Sequence, residues 1–242
     1  MTVEVDIKEL FEAGAHFGHK TSRWHPKMAP FIHSKRQDSH IIDLAKTVEG
    51  FEKALPFLTK IAASGRPILF VGTKKQQKDI VRAAAEKIEM PYVTERWIGG
   101  MLTNVATVGS QIKKLKDYER RMGSGDFEKR YNKLEVQRYQ EEIDILNEKY
   151  SGIKDMNGYP AALIVFDTIV DDGAIKEAKN LNIPVVAIVD TNSDPSIVAY
   201  PIPGNDDAIK AIEMYVSYFV AAIQEGKTAA GKIEAAPVKE EK

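Results

Sequence analysis

The 242-residue chain contains no cysteine, which excludes disulfides, thiolate zinc sites, iron–sulfur clusters and cysteine nucleophiles together. Long apolar runs are also missing. The longest, such as AALIVF at 161–166, fall far below the roughly 18 residues that a membrane span requires. The opening stretch MTVEVDIKELFEAGAHFGHK carries acids where a signal peptide carries basic residues, so a cytoplasmic protein is expected. No GxxxxGK[ST], GxGxxG, HExxH or GxSxG occurs, which removes the common signatures of phosphate loops, dinucleotide sites, zinc proteases and serine hydrolases. Net charge is almost absent as well: 34 Lys plus Arg stand against 35 Asp plus Glu, a formal −1. That sum alone gives no reason to expect nucleic acid.

What is present is an alternation of strand and helix signals from about residue 41, the pattern of an α/β domain with a parallel sheet. PILFVG (67–72), PYVTERW (91–97), AALIVFD (161–167) and IPVVAIVD (183–190) are apolar without strict alternation, as strands covered on both faces should be. IVAYPIP (197–203), with two prolines, suits a sheet edge. Asp43 caps a predicted helix whose stripe is Leu44, Val48, Phe51, Leu55 and Leu58, with a kink or break expected at Pro56. Further helices are expected over 74–89, 171–181 with Asp171 as cap, and 205–226, opened by the cap-type Asn205 and Asp206, with Asp206 and Asp207 as first-turn acids, and ended by Gly226.

Between the second and third strands the alternation fails. Residues 105–122 and 127–150 are charged and helical, with GSGD (123–126) as the turn. Val105, Val108, Ile112, Leu115 and Met122 keep one seam, and Val136, Tyr139, Ile143, Leu146 and Tyr150 the other, which predicts an antiparallel coiled-coil hairpin. The chain thus divides into a basic, aromatic segment (1–40), a sheet domain (41–104 and 151–226), the hairpin (105–150) and a tail (227–242) expected to be disordered.

The near-zero net charge hides an uneven distribution. Residues 1–150 carry a balance of +5 and residues 151–242 one of −6. Residues 13–37 contain no acid, yet hold Lys20, Arg23, Lys27, Lys35 and Arg36 among His16, His19, His25, His33, Phe17, Trp24 and Phe31. A second acid-free window runs from Arg96 to Lys116, and Lys74, Lys75 and Lys78 form a third basic cluster. Cations neutralise phosphates and flat rings stack on unpaired bases, so these windows suit RNA. Other readings remain open at this point. Lys74 in VGTKKQQ, with Mg2+ on Asp167 and Asp190, would suit an enzyme acting on a phosphate-containing ligand, although Asp171 and the DTNSDP stretch also fit caps and turns. His16 and His19, at HxxH spacing, with His33 or an Asp as third ligand, leave a bound metal open. A protein-docking module that binds through the hairpin alone is the third reading.

Taken together, EAGAHFGHKTSRWHPKMAPFI, HIIDLAKT, ILFVGTKKQ, MPYVTERWIGGMLTN, GIKDM, IPVVAIVDTNSDP and YPIPGNDDAI resemble one family, bacterial small-subunit ribosomal protein S-two, over about residues 10–215. The resemblance implies a flavodoxin-like three-layer α/β/α parallel sheet with an inserted coiled-coil hairpin. It further implies a non-enzymatic, ribosome-bound cytoplasmic protein with no cofactor, membrane or small-molecule substrate. Its implied partners are 16S ribosomal RNA and neighbouring small-subunit proteins, including the recruited ribosomal protein S-one. RNA contact carries over to His16, His19, Lys20, Arg23, Trp24, His25 and Lys27, and to Lys74, Lys75, Arg96, Trp97 and Asn104. Ser193 stands where the family commonly has a cysteine, which removes a thiol and leaves the turn.

Overall fold

The computed structural model describes residues 4–234 and begins with a short helix, α1 (Ile7–Glu12), whose N-cap Asp6 accepts from the Lys8 amide. Across the basic, aromatic segment and up to residue 42, where the sequence suggests no strands, β1 (Phe17–Lys20), β2 (Ile32–Arg36) and β3 (Ser39–Ile42) form a small antiparallel sheet in the order β1-β3-β2. Gln37 and Asp38 turn the chain between β2 and β3, both at positive φ, as a tight hairpin requires.

α2 (Leu44–Ala63) starts on the Asp43 side chain, which accepts from the Ala45 amide, and runs unbroken through Pro56. It leads into β4 (Ile68–Val71), α3 (Lys78–Lys87) and β5 (Tyr92–Val93). The helix expected from 74 begins four residues later because residues 73–77 form the turn that leaves the sheet. The strand expected at 91–97 is two residues long. Beyond it lie α4 (Val105–Gly123), α5 (Asp126–Arg130) and α6 (Lys133–Tyr150). α4 packs on α6, with Lys114 paired to Glu142 and the Tyr118 and Tyr139 rings edge to face at 5.5 Å. The join is longer than a GSGD turn, since α5 intervenes and its Phe127 is buried beneath Tyr139. Of the seam residues, Val108, Leu115, Ile143, Leu146 and Tyr150 are buried, whereas Val105 is half exposed.

β6 (Ala162–Val165), α7 (Asp172–Asn180), β7 (Val185–Val189), β8 (Tyr200–Pro203) and α8 (Ile209–Glu234) complete the fold. The five later strands are all parallel in the order β5-β4-β6-β7-β8, a flavodoxin-like order, with the proline-bearing β8 at an edge. Side chains alternate across it. Ile68, Phe70, Ile164, Val186 and Ile188 face a layer built by α2, α3 and α8, while Leu69, Val71, Leu163, Val165, Val185 and Ala187 face α7 and the roots of α4 and α6. Each large side chain so buried contributes roughly 1.5–3 kcal/mol.

α8 does not end at Gly226. A Cβ at that position would collide with the Thr59 carbonyl oxygen of α2, so this glycine marks close helix packing and not a helix stop. The tail expected from 227 therefore starts inside α8, which continues to Glu234, where Lys227 donates to the Ile88 carbonyl; residues 235–242 lie outside the described residues.

Candidate nucleic-acid interface

Five loops leave the C-terminal ends of the parallel strands along one rim, the place where α/β sheets gather functional groups. Lys74 reaches from the loop after β4 into the acids that follow β6 and β8. Its ammonium lies 2.8 Å from Asp167, 2.9 Å from Asp206 and 2.7 Å from Asp207. Burial works against its charge, but Asp206, Asp167 and Asp207 outweigh it and hold the group above the usual lysine range. The pairing leaves Lys74 without spare charge for a phosphate. Asp206 is 2% exposed, and burial, reinforced by Asp190 and Asp167, pushes its carboxyl up to about 7 despite Lys74.

Three expected helix acids do other work. Asp171 sits at the N-cap position of α7 but makes no capping hydrogen bond; it accepts from the Thr73 hydroxyl at 2.8 Å. Burial pushes it up to about 6 against that hydrogen bond. Asp206 and Asp207 precede α8 and face Lys74, while Asn205 accepts from the amides of Asp207 and Ala208. The DTNSDP stretch does form an Asx turn, with Asp194 accepting from the Ser196 amide at 2.9 Å.

The N-terminal sheet docks on this rim through β1. The His19 amide donates to the Thr191 hydroxyl at 2.9 Å, and His19 Nδ1 lies 3.0 Å from Asp190. That hydrogen bond to Asp190 outweighs burial and raises the imidazole above its usual range. Gly18 permits the approach, since a Cβ there would lie 2.6 Å from the Thr191 methyl. His16 turns the other way. It is buried between Phe11 and Phe17, with ring centroids at 4.4 and 4.0 Å, and burial lowers its pKa. The HxxH pair therefore does not converge on one ion. A different set, His19, Asp206 and Asp207, places one ligand atom each within 4.8 Å of one another, spacing that could hold a divalent cation.

The remaining predicted residues fall into two groups. Lys27 is neutralised by Asp194 at 2.7 Å, and the His25 amide donates to the Thr191 carbonyl at 2.7 Å. The half-buried Trp97 donates its indole N–H to Glu177 at 3.0 Å, and Asn104 caps α4 by accepting from the Thr107 amide. By contrast, Lys20, Arg23, Lys75 and Arg96 are exposed and have no ion-pair partner among the described residues. Trp24, which follows Arg23 on the N-terminal segment and is 39% exposed, has its ring 5.3 Å from His40. Free cations can neutralise phosphates, and an open ring can stack a base.

Reasoning from sequence missed Glu177 and Thr191. Only Glu177 left a signal: it lies three residues after Ala174 and two after Ile175, on the apolar stripe of α7, where a carboxylate has to find donors.

The sequence matches the family described as Ribosomal protein S2 over residues 10–226. The small ribosomal subunit protein uS2 of Coprothermobacter proteolyticus is 48% identical over 223 residues, 92% of this chain and 83% of the relative. Its namesake in Christiangramia forsetii is 50% identical over 228 residues, 93% of this chain and 75% of the relative. The Thermus thermophilus protein is 45% identical over 237 residues, covering 98% and 91%.

Proposed function

The chain belongs to the ribosomal protein S2 family, and from that membership we propose that it binds 16S ribosomal RNA through the rim that carries Lys20, Arg23, Lys75 and Arg96. It is a structural constituent of the small ribosomal subunit and not an enzyme. The observation that carries the RNA reading is the sorting of its cations. Lys27 and Lys74 are spent on internal acids, while these four stay exposed and unpaired on elements that meet at one rim. Phosphate contacts of this kind position a protein on folded RNA without reading its sequence.

The family resemblance adds two further parts to the proposal: cytoplasmic residence on the ribosome, and help in recruiting ribosomal protein S-one. This role needs no cofactor. Were a divalent cation bound, His19, Asp206 and Asp207 are the residues that would hold it, in competition with Lys74.

The test is association with small-subunit particles lacking this protein, measured across salt concentrations. Changing Lys20, Arg23 and Lys75 to alanine together is expected to flatten the slope of log K against log salt by about two to three, close to one for each phosphate no longer neutralised. Lys27→Ala, whose charge Asp194 already neutralises, should change it far less. A triple variant with the wild-type slope would refute the assignment.

A further inference from the structure

Residues 96–104, RWIGGMLTN, form no helix or strand, yet one side chain from another element holds them. Glu177 of α7 is 9% exposed, and its carboxylate accepts five hydrogen bonds from this loop. Oε1 takes the Trp97 indole N–H at 3.0 Å and the Gly100 amide at 2.7 Å. Oε2 takes the Leu102 amide at 2.9 Å, with the Thr103 amide and hydroxyl at 3.0 Å each. No lysine or arginine is paired with this acid among the described residues, so its counter-charge is a concave set of backbone and side-chain dipoles. Burial alone would raise its pKa, but the five donors outweigh burial and keep the carboxyl below its ordinary range, hence ionised.

The loop is shaped around this anchor. Gly100 adopts a φ of +89°, which turns its amide toward the carboxylate and which a side chain would resist. Trp97 packs over Gly173, one turn before Glu177, where an added Cβ would stand 3.1 Å from the indole. Arg96 is exposed immediately before the first anchored residue, and Asn104 caps α4 immediately after the last.

We propose that Glu177 is the positioning residue of the RNA interface: it touches no RNA, and it fixes the 96–104 loop so that Arg96 is displayed on the rim at a set place. This rests on the RNA reading above, and it assigns to a buried acid a function that its charge alone would argue against. Without the anchor, Arg96 keeps its charge but loses its fixed location, so a phosphate contact made at one register becomes a diffuse attraction.

The experiment compares Arg96→Ala, Glu177→Gln, Glu177→Asp and the Arg96→Ala/Glu177→Gln double variant in full-length protein, again by salt-dependent association with particles lacking it. Glutamine keeps the shape but offers one acceptor oxygen, and turns an NH2 toward donors that it cannot satisfy. Arg96→Ala should lower the salt slope by about one. Glu177→Gln should lower it equally, the double variant should be no worse than either single one, and Glu177→Asp should restore part of the loss. Should Glu177→Gln not fold, Gly173→Ala, which pushes the Trp97 ring off the same helix, takes its place. A wild-type slope for Glu177→Gln beside a weakened Arg96→Ala overturns the positioning role and leaves the RNA reading standing. Additive losses overturn it too, since they mean that Glu177 acts through general stability. An Arg96→Ala variant with an unchanged slope removes this loop from the RNA interface, and the inference with it.

Discussion

Replacing Asp206 with asparagine should stabilise this protein at pH 8 and do almost nothing at pH 5. Asp206 lies among Asp167, Asp190 and Asp207, with Lys74 as the fixed cation among them and His19 hydrogen-bonded to Asp190. Burial first, and then Asp190 and Asp167, carry its pKa from the ordinary 3.8 to about 7, while Lys74 pulls the other way. Because the folded value exceeds the unfolded one, the stability linked to this proton is complete below about pH 4 and is lost as pH rises through about 7. A gap of about three pKa units is worth about 4 kcal/mol as an upper bound, at about 1.4 kcal/mol per unit. Asparagine has the shape of the protonated acid and cannot ionise. With the Lys74 hydrogen bond weakened, the expected net gain at pH 8 is about 1–3 kcal/mol. His19, raised by Asp190, and Asp171, raised to about 6, have slopes of the same sign and persist in the variant, so its profile flattens without inverting. Urea midpoints followed by tryptophan fluorescence at pH 5, 6, 7 and 8, with a chelator present so that only protons titrate the cluster, measure this directly. An Asp206→Asn variant destabilised equally at every pH would refute the reasoning, because the ionised Asp206–Lys74 pair would then be net favourable.

Two stability predictions test the packing. Gly226→Ala should destabilise by about 1–3 kcal/mol or more through its collision with the α2 backbone at Thr59, seen as a lower thermal midpoint. Leu115→Ala empties a fully buried position between α4 and α6, and is expected to cost about 2–5 kcal/mol by denaturant unfolding, whereas truncation of the half-exposed Val105 should cost little.

The parallel sheet was readable because strands covered on both layers must be apolar at every position, as ILFV at 68–71 and VVAIV at 185–189 are. The antiparallel sheet was not, because β2 is IHSKR with four of its five residues exposed, and its pairing comes from two residues at positive φ instead of from alternation. Gly226 misled because a glycine late in a helical pattern signals a stop or a close approach equally well. At the interface, acid-free windows located the cations, but local sequence cannot say which of them a distant acid will neutralise. Lys27 meets Asp194, 167 positions away, and Lys74 meets Asp206, 132 positions away. Of the cations that the family resemblance marks for RNA contact, Lys20, Arg23, Lys75 and Arg96 are what remains.

The docking of β1 on the rim joins opposite ends of the chain. His19 is held by Asp190 and Thr191, and the Asn205 side chain donates to the Gly14 carbonyl, 191 positions away. At about 5–20 residues per second of synthesis, the interval between the emergence of His19 and of Asn205 is on the order of ten to forty seconds. Throughout that time the N-terminal segment has no floor to rest on. The docked N-terminal segment is thus translated first and fixed last, which makes completion of the final β-strand and its following turn the event that closes this rim.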